Sequence, residues 1–196
     1  GSVRSDVSTS AANWREVATS ADRQRLRTAR DAWIDALQSA RNTGNSAAID
    51  AEGALLRPDA AIAGTLPQSG DFNCRVIKLG AKAPGMLGYI AYPRFRCRIS
   101  QAGSNLKLEK LSGSQRPIGV IYPDTDLRAI FLGTLALGDE VRPVDYGSDA
   151  QRDIAGIIER IGPSQWRMIM PHPAFESLLD VMELVPIPGY IPVDGG

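Results

Sequence analysis

Apolar residues recur along this chain with two different periods, and the change from one to the other divides it. Between Trp14 and Leu37, the residues Val17, Ala21, Leu26, Ala29, Trp33, Ile34 and Leu37 recur mostly at three- and four-residue steps, while Arg23, Arg25, Arg27 and Arg30 face largely elsewhere. That spacing predicts an amphipathic helical segment. Ser10 or Asn13 can cap its start, and Thr19 or Ser20 can cap a second start, so one helix or two fit the pattern. Asn42-Thr43-Gly44-Asn45 ends it, and a shorter helix over 46–56 stops at Arg57-Pro58.

Beyond a Pro/Gly/Ala-rich linker, 58–70, the period drops to two. Strands are predicted over 72–79, 88–101, 105–111, 116–122, 127–137, 153–161, 165–170 and 178–185. Turn signals separate them: Ala83-Pro84-Gly85, Ala102-Gly103-Ser104, Pro123-Asp124, Gly138-Asp139, Gly147-Ser148 and Gly162-Pro163. The last strand lies within Phe175–Val185, which could instead be a helix, because the acids at 176, 180 and 183 match that spacing too. Short strands joined by tight turns predict an up-and-down, lipocalin-like antiparallel β-barrel or a strongly curled sheet. The expected fold class is therefore α+β, with N-terminal helices packed on a barrel-like sheet domain or lying over it as a lid. The expected divisions are a disordered tether (1–12), a helical segment (13–57), the linker (58–70), the barrel-like domain (71–185) and a Pro/Gly-rich tail (186–196). The prolines bar that tail from the middle of a sheet.

Alternation also places the two cysteines. Phe72, Cys74 and Val76 share one face of their strand; Phe95, Cys97 and Ile99 share one face of the next, with Arg94, Arg96 and Arg98 opposite. Both cysteines thus sit on apolar faces of consecutive strands. A cross-strand disulfide fits if their Cα atoms come within about 7 Å. Two buried free thiols are the alternative, and the default in a cytosolic protein. The neighbouring strands favour the disulfide. Neither cysteine has metal-binding spacing, and no metal or cofactor is expected.

Composition changes this picture little. At 196 residues the chain is long enough to bury a core without metal or disulfide, and 43% apolar with 22% charged residues is ordinary for a globular protein. Formal net charge is zero, which gives no reason for a nucleic-acid or membrane partner. No apolar run is long enough to cross a bilayer as a helix. The opening Gly1-Ser2-Val3 lacks an initiator Met, which points to a start removed by processing or cloning, and a secretory signal could have stood before it. The charge is uneven, however. Residues 71–116 carry nine Lys/Arg against two acids, and 117–196 carry five Arg against twelve acids. Strands pairing Arg with Asp and Glu across a sheet account for this; an anion-binding basic patch is the alternative.

Few residues offer chemistry. His172 is the lone histidine, set in a Pro-His-Pro turn with no nucleophile elbow anywhere in the chain, and is read as a surface turn residue. The segment 138–153 is the densest polar stretch, with Asp145, Asp149 and Asp153 every four residues. It lacks the Ca²⁺-loop pattern and reads as a solvated loop or ion-pair network. Gly113-Ser114-Gln115-Arg116-Pro117 is a compact turn able to hold an anion through its N–H groups and Arg116, or simply a turn. The aromatic residues Trp14, Trp33, Trp166, Phe72, Phe95 and Phe131 read as core rather than as a base-stacking platform.

Several segments together form a fingerprint: Trp14-Arg15 with Ala21-Asp22-Arg23-x-Arg25-Leu26; Glu52-Gly53-x-Leu55-Leu56-x-Pro58-Asp59; Cys74 through Gly80; Phe95-x-Cys97; Gly113 through Arg116; Phe131-Leu132-Gly133 with Leu137 through Glu140; Arg152-Asp153-x-Ala155-Gly156; and Glu176 through Leu184. In these the chain resembles the domain of unknown function 4893, an uncharacterised bacterial family, over nearly its whole length. The resemblance implies an exported alphaproteobacterial envelope protein, often with a signal or lipoprotein leader. It carries over no catalytic residue. Export is compatible with oxidation, which adds weight to the disulfide.

Three functional classes follow. The first is a non-enzymatic periplasmic or envelope protein holding a small ligand or protein partner at a barrel mouth or between helices and sheet. Its candidate polar groups are Ser114, Gln115, Arg116, Arg128, Asp139, Glu140, Tyr146, Asp149, Arg152 and Asp153. The second is a hydrolase using the acidic 139–153 loop with Arg116 or Arg152. The third is a structural interaction module. A partly apolar cavity supports the first, two converging carboxylates with one raised pKa the second, and a large exposed apolar patch the third.

Overall fold

The structure, a computed structural model, describes residues 13–173 and 177–189. The expected tether, the end of the tail, and Phe175 and Glu176 lie outside the described residues.

Side-chain caps start the first two helices. Asn13 Oδ1 accepts the Arg15 N–H at 3.0 Å to open α1 (Trp14–Val17). Thr19 Oγ1 accepts the Asp22 N–H at 3.2 Å to open α2 (Ser20–Arg27). α3 (Ala29–Asn42) and α4 (Ser46–Ala51) follow, then a 3-10 turn, Gly53–Leu56. The helical period is thus cut into more pieces than the one or two its caps suggested. Ala18 is extended between α1 and α2. The Thr28 hydroxyl donates back to the Gln24 carbonyl at 3.0 Å, competing with the helical ladder where α2 gives way to α3.

Nine strands follow: β1 (Gly70–Ala81), β2 (Tyr89–Ala91), β3 (Phe95–Ala102), β4 (Asn105–Lys110), β5 (Gln115–Pro123), β6 (Ala129–Leu137), β7 (Asp153–Gly162), β8 (Gln165–Pro171) and β9 (Ser177–Pro186). From β3 onward each pairs antiparallel with the next, and β9 returns to β1 in register from Phe72↔Pro186 to Ala81↔Ser177. The result is a closed up-and-down barrel with no free edge in its ring, apart from the short β2.

Two strand expectations change, and one left open is decided. The strand expected over 88–101 splits at Tyr92-Pro93-Arg94, because Pro93 has no N–H to give the ladder. Pairing on β1 passes from Ile77↔Ala91 to Cys74↔Phe95, which leaves one extra residue on the outer strand, a bulge. Leu127 is half exposed in the turn before β6 rather than in the strand. The segment open to either reading, 175–185, is strand from Ser177, where its described part begins, and Pro186 closes it at the end of the ladder, where a missing N–H costs least.

The sheet has two apolar faces, and this decides where the helices go. Inward-facing Phe72, Cys74, Cys97, Ile99, Leu108, Phe131, Trp166, Met168, Met182 and Leu184 form the barrel interior. Outward-facing Ile77, Leu79, Ile157, Ile169, Leu179 and Val181 form a second core with α2 and α3. The helices therefore lie along the outer wall over β1, β7, β8 and β9 and do not act as a lid over a mouth. Ala32, Ala36 and Ala40, all fully buried, let α3 come close. At Gly80 (φ +81°) an added Cβ would meet Ala36 Cα at 3.0 Å and a Leu178 methyl at 2.8 Å.

The uneven charge helps close the ring. Basic β1 lies beside acidic β9, with Arg75 opposite Glu183 and Lys78 opposite Asp180. Their charged atoms are 3.6 and 2.9 Å apart.

A barrel mouth as the candidate functional site

The barrel interior is filled in one half and open in the other. In the filled half Phe72 and Trp166 meet edge to face, ring centroids 6.5 Å apart. Phe131 lies over the opposed pair Gly119 and Gly133. A Cβ on either glycine would come within 3 Å of the partner's backbone and of the Phe131 ring. Met168 lies over Gly156 in the same way. Glycine on the strands is thus what allows large side chains to cross and plug this half. Cys74 and Cys97 form a disulfide here, Cα atoms 6.1 Å apart, joining β1 to β3.

Toward the other end a cavity of about 660 Å³ opens. That lies within the roughly 300–1,000 Å³ of small-molecule sites. The ends of β1, β4, β6 and β8 and the starts of β3, β5, β7 and β9 surround it. Its apolar lining includes Val76, Phe95, Leu135, Ile154, Met170 and Met182; its polar lining includes Lys78, Lys110, Gln115, Arg152, Asp153 and Asp180.

Lys78 and Asp180 form the deepest polar pair, at 2.9 Å. The second Asp180 oxygen accepts the Ser177 hydroxyl at 2.5 Å. Burial pushes the Asp180 carboxyl up, against the opposing pull of Lys78 and Ser177. Lys110 Nζ lies 4.2 Å from the centre of the Phe95 ring. Burial, and then the nearby Arg116 charge, push the Lys110 ammonium down.

The sequence-predicted residues are dispersed around and away from this mouth. Gln115, Arg152 and Asp153 line it. Ser114 and Asp139 are exposed in rim turns. Arg116 is spent on the rim itself, donating to the carbonyls of Gly113 (2.6 Å), Gly138 (2.6 Å) and Glu140 (3.0 Å). It ties the β4–β5 turn to the β6–β7 loop. Glu140 and Asp149 hold Arg152, at 2.8 and 3.8 Å. Asp153 Oδ1 accepts the Gly147 N–H at 2.8 Å, and burial pushes its carboxyl up. Tyr146 lies away from the mouth, on the helical wall: its hydroxyl donates to Asp22 at 2.5 Å and accepts the Thr19 N–H at 3.0 Å. Arg128 sits at the opposite barrel end, paired with Asp124 at 2.6 Å. Phe95, expected in the core, forms part of the mouth.

Sequence reasoning missed Lys78, Lys110, Asp180, Met170 and Met182. The signal was present. Cys74–Val76 continues to Lys78 at the same two-residue step, and Leu106–Leu108 continues to Lys110. Among the described residues no group of three or more His, Cys, Asp or Glu is placed to hold a metal ion. His172 holds a turn in left-handed backbone (φ 46°), its N–H bonded to the Leu178 carbonyl at 2.9 Å.

Fold and mouth together define an eight-stranded up-and-down barrel, walled by helices on one side and open at one end. The chain belongs to the family described as Domain of unknown function (DUF4893), whose model matches residues 14–184. No curated protein and no solved structure matches it. Among the described residues no helix is long and apolar enough to cross a membrane.

Proposed function

We propose that this chain is a non-enzymatic binding protein of the cell envelope, which holds a small molecule in the open half of its barrel. The observation that carries this is the 660 Å³ mouth, apolar on its walls and ringed by a few polar groups, above a plugged lower half. A fully packed barrel would have had no such space. The disulfide supports action outside the reducing cytoplasm. A hydrolytic reading finds less support. In the acidic loop Glu140 and Asp149 are held by Arg152 and Asp153 by a backbone N–H, and both Asp180 oxygens are engaged.

The test is titration with N-phenyl-1-naphthylamine, an uncharged apolar dye whose fluorescence rises on leaving water. Saturable one-to-one binding is expected, lost in Val76→Trp and in Met182→Trp, each of which fills the mouth. Circular dichroism identifies whichever variant keeps the native fold. Absence of saturable binding by the unaltered protein, or full binding by a folded mouth-filled variant, overturns the reading.

A further inference from the structure

The charges around the mouth are not all paired with one another: among the described residues Asp153 is held by the Gly147 N–H at 2.8 Å and by no cation within ion-pair distance, and one lysine is left without a carboxylate. Arg25, Lys78, Lys110 and Arg152 face Asp153 and Asp180. Lys78 is matched by Asp180 at 2.9 Å, Arg152 by Glu140 at 2.8 Å and Arg25 by Asp22 at 3.3 Å. Among the described residues Lys110 has no carboxylate within ion-pair distance. It is the last residue of β4, on the inward face, partly buried, with its ammonium against the Phe95 ring and the Gly113 turn. A cation withdrawn from water without a counter-charge is costly, and an anion supplied from outside would relieve that cost. Among the described residues that line the mouth Lys110 is the one cation without a carboxylate, and one cation matches a single negative charge. Next to Lys110 the wall is Phe95, with Val76, Met170 and Met182 beyond; these are apolar, and the methionines are adaptable in shape.

Resting on the binding reading above, we infer that the ligand is a single-chain amphiphilic monocarboxylate. Its head group is held at the rim by the Lys110 ammonium, and its hydrocarbon tail lies inward along Phe95, Val76, Met170 and Met182. The juxtaposition of one unpaired lysine with an apolar, flexible-walled cavity selects this class over neutral lipids, which leave the cation bare. It also selects it over small dianions, which leave the apolar wall unused and carry a second charge with no partner.

Decanoate and 1-decanol share a tail and differ in the charge of the head. Calorimetry at neutral pH should show decanoate binding about ten-fold tighter than decanol. Lys110→Met should abolish that preference by weakening decanoate about ten-fold while leaving decanol unchanged. Lys107→Gln, the same loss of charge on the outer face of the same strand, should keep the preference. Equal affinities in the unaltered protein, or a preference that survives Lys110→Met, overturns the inference and leaves the cavity standing. So does binding of the naphthylamine dye with no binding of either decyl compound. Failure of the dye as well brings down the binding reading along with it.

Discussion

Arg167 is fully withdrawn from solvent, and its position explains why the linker after the helices is ordered. It donates to the carbonyls of Ala54, Leu55, Arg57 and Pro58, pairs with Glu159 at 3.0 Å, and lies 5.0 Å from the Trp33 ring centre. Carbonyls left over at the end of a short helical turn need donors, and one planar guanidinium on β8 supplies them. Removing it strands Glu159 and those carbonyls together, so Arg167→Met should cost about 3–5 kcal/mol in urea unfolding. Adding Glu159→Gln should recover part of that loss. Lys110 has the opposite sign: without ligand its charge is a liability, so Lys110→Met should leave the unfolding midpoint unchanged or raise it, by less than ~1 kcal/mol given its partial exposure.

The buried carboxyls set the response to acid. Burial pushes Asp180, Glu159 and Asp153 up, so each holds its proton more tightly folded than unfolded. Between the ordinary carboxyl value and the raised one, these groups make stability rise as pH falls. Asp124 runs the other way. Burial works to raise it, but hydrogen bonds from Trp14 and Arg128 and the charges of Arg128 and Arg15 hold it below 3.8, and its contribution is lost only as pH falls through that lowered value. Urea midpoints should therefore hold or rise from pH 7 to about 5 and fall only below about 4. A steady decline beginning at pH 7 would contradict this balance.

At the scale of elements, the plugged half of the barrel depends on absent side chains. Gly133→Ala should cost at least ~2 kcal/mol, because the new methyl has the Ile118 carbonyl 2.4 Å away and the Phe131 ring 2.7 Å away. The disulfide links residues 23 apart in sequence, so Cys74→Ala with Cys97→Ala should cost about 3 kcal/mol by loop-closure entropy. Both are read by equilibrium unfolding. The strands themselves were legible, because alternation and turn dipeptides act locally. Period two even places both cysteines on apolar faces, which the closed barrel turns inward. What alternation could not give was the break at Pro93, where a single residue without an N–H turns one strand into two. The split of the helices at Ala18 and Thr28 was only half legible, since the caps at Asn13 and Thr19 are visible in the chain but the length each helix keeps is set by packing on the wall.

For the whole molecule, closure was the harder inference. The basic first half and acidic second half meet where β1 and β9 pair, residues more than a hundred positions apart for Lys78 and Asp180. Composition shows the asymmetry, but only the ring explains it. Of the two placements expected for the helices, packed on the sheet or lying over it as a lid, the first holds, because β1, β7, β8 and β9 are apolar on both faces and the outer face must also be covered. The site was the least legible level. Polar density drew attention to the 139–153 loop, whose charges mostly satisfy one another, whereas the cavity is built by isolated residues at strand ends that become neighbours only when the barrel closes.

The central claim, that one half of the barrel is open to a ligand and the other filled, can be read from the four methionines. With ¹³C-methyl methionine, titrating in N-phenyl-1-naphthylamine should shift the Met170 and Met182 signals together and saturably. Met168, in the plugged half, and Met86, on an outer loop, should stay still. Movement of Met168 in step with the other two, or no movement of Met170 and Met182 at saturating dye, would contradict the account.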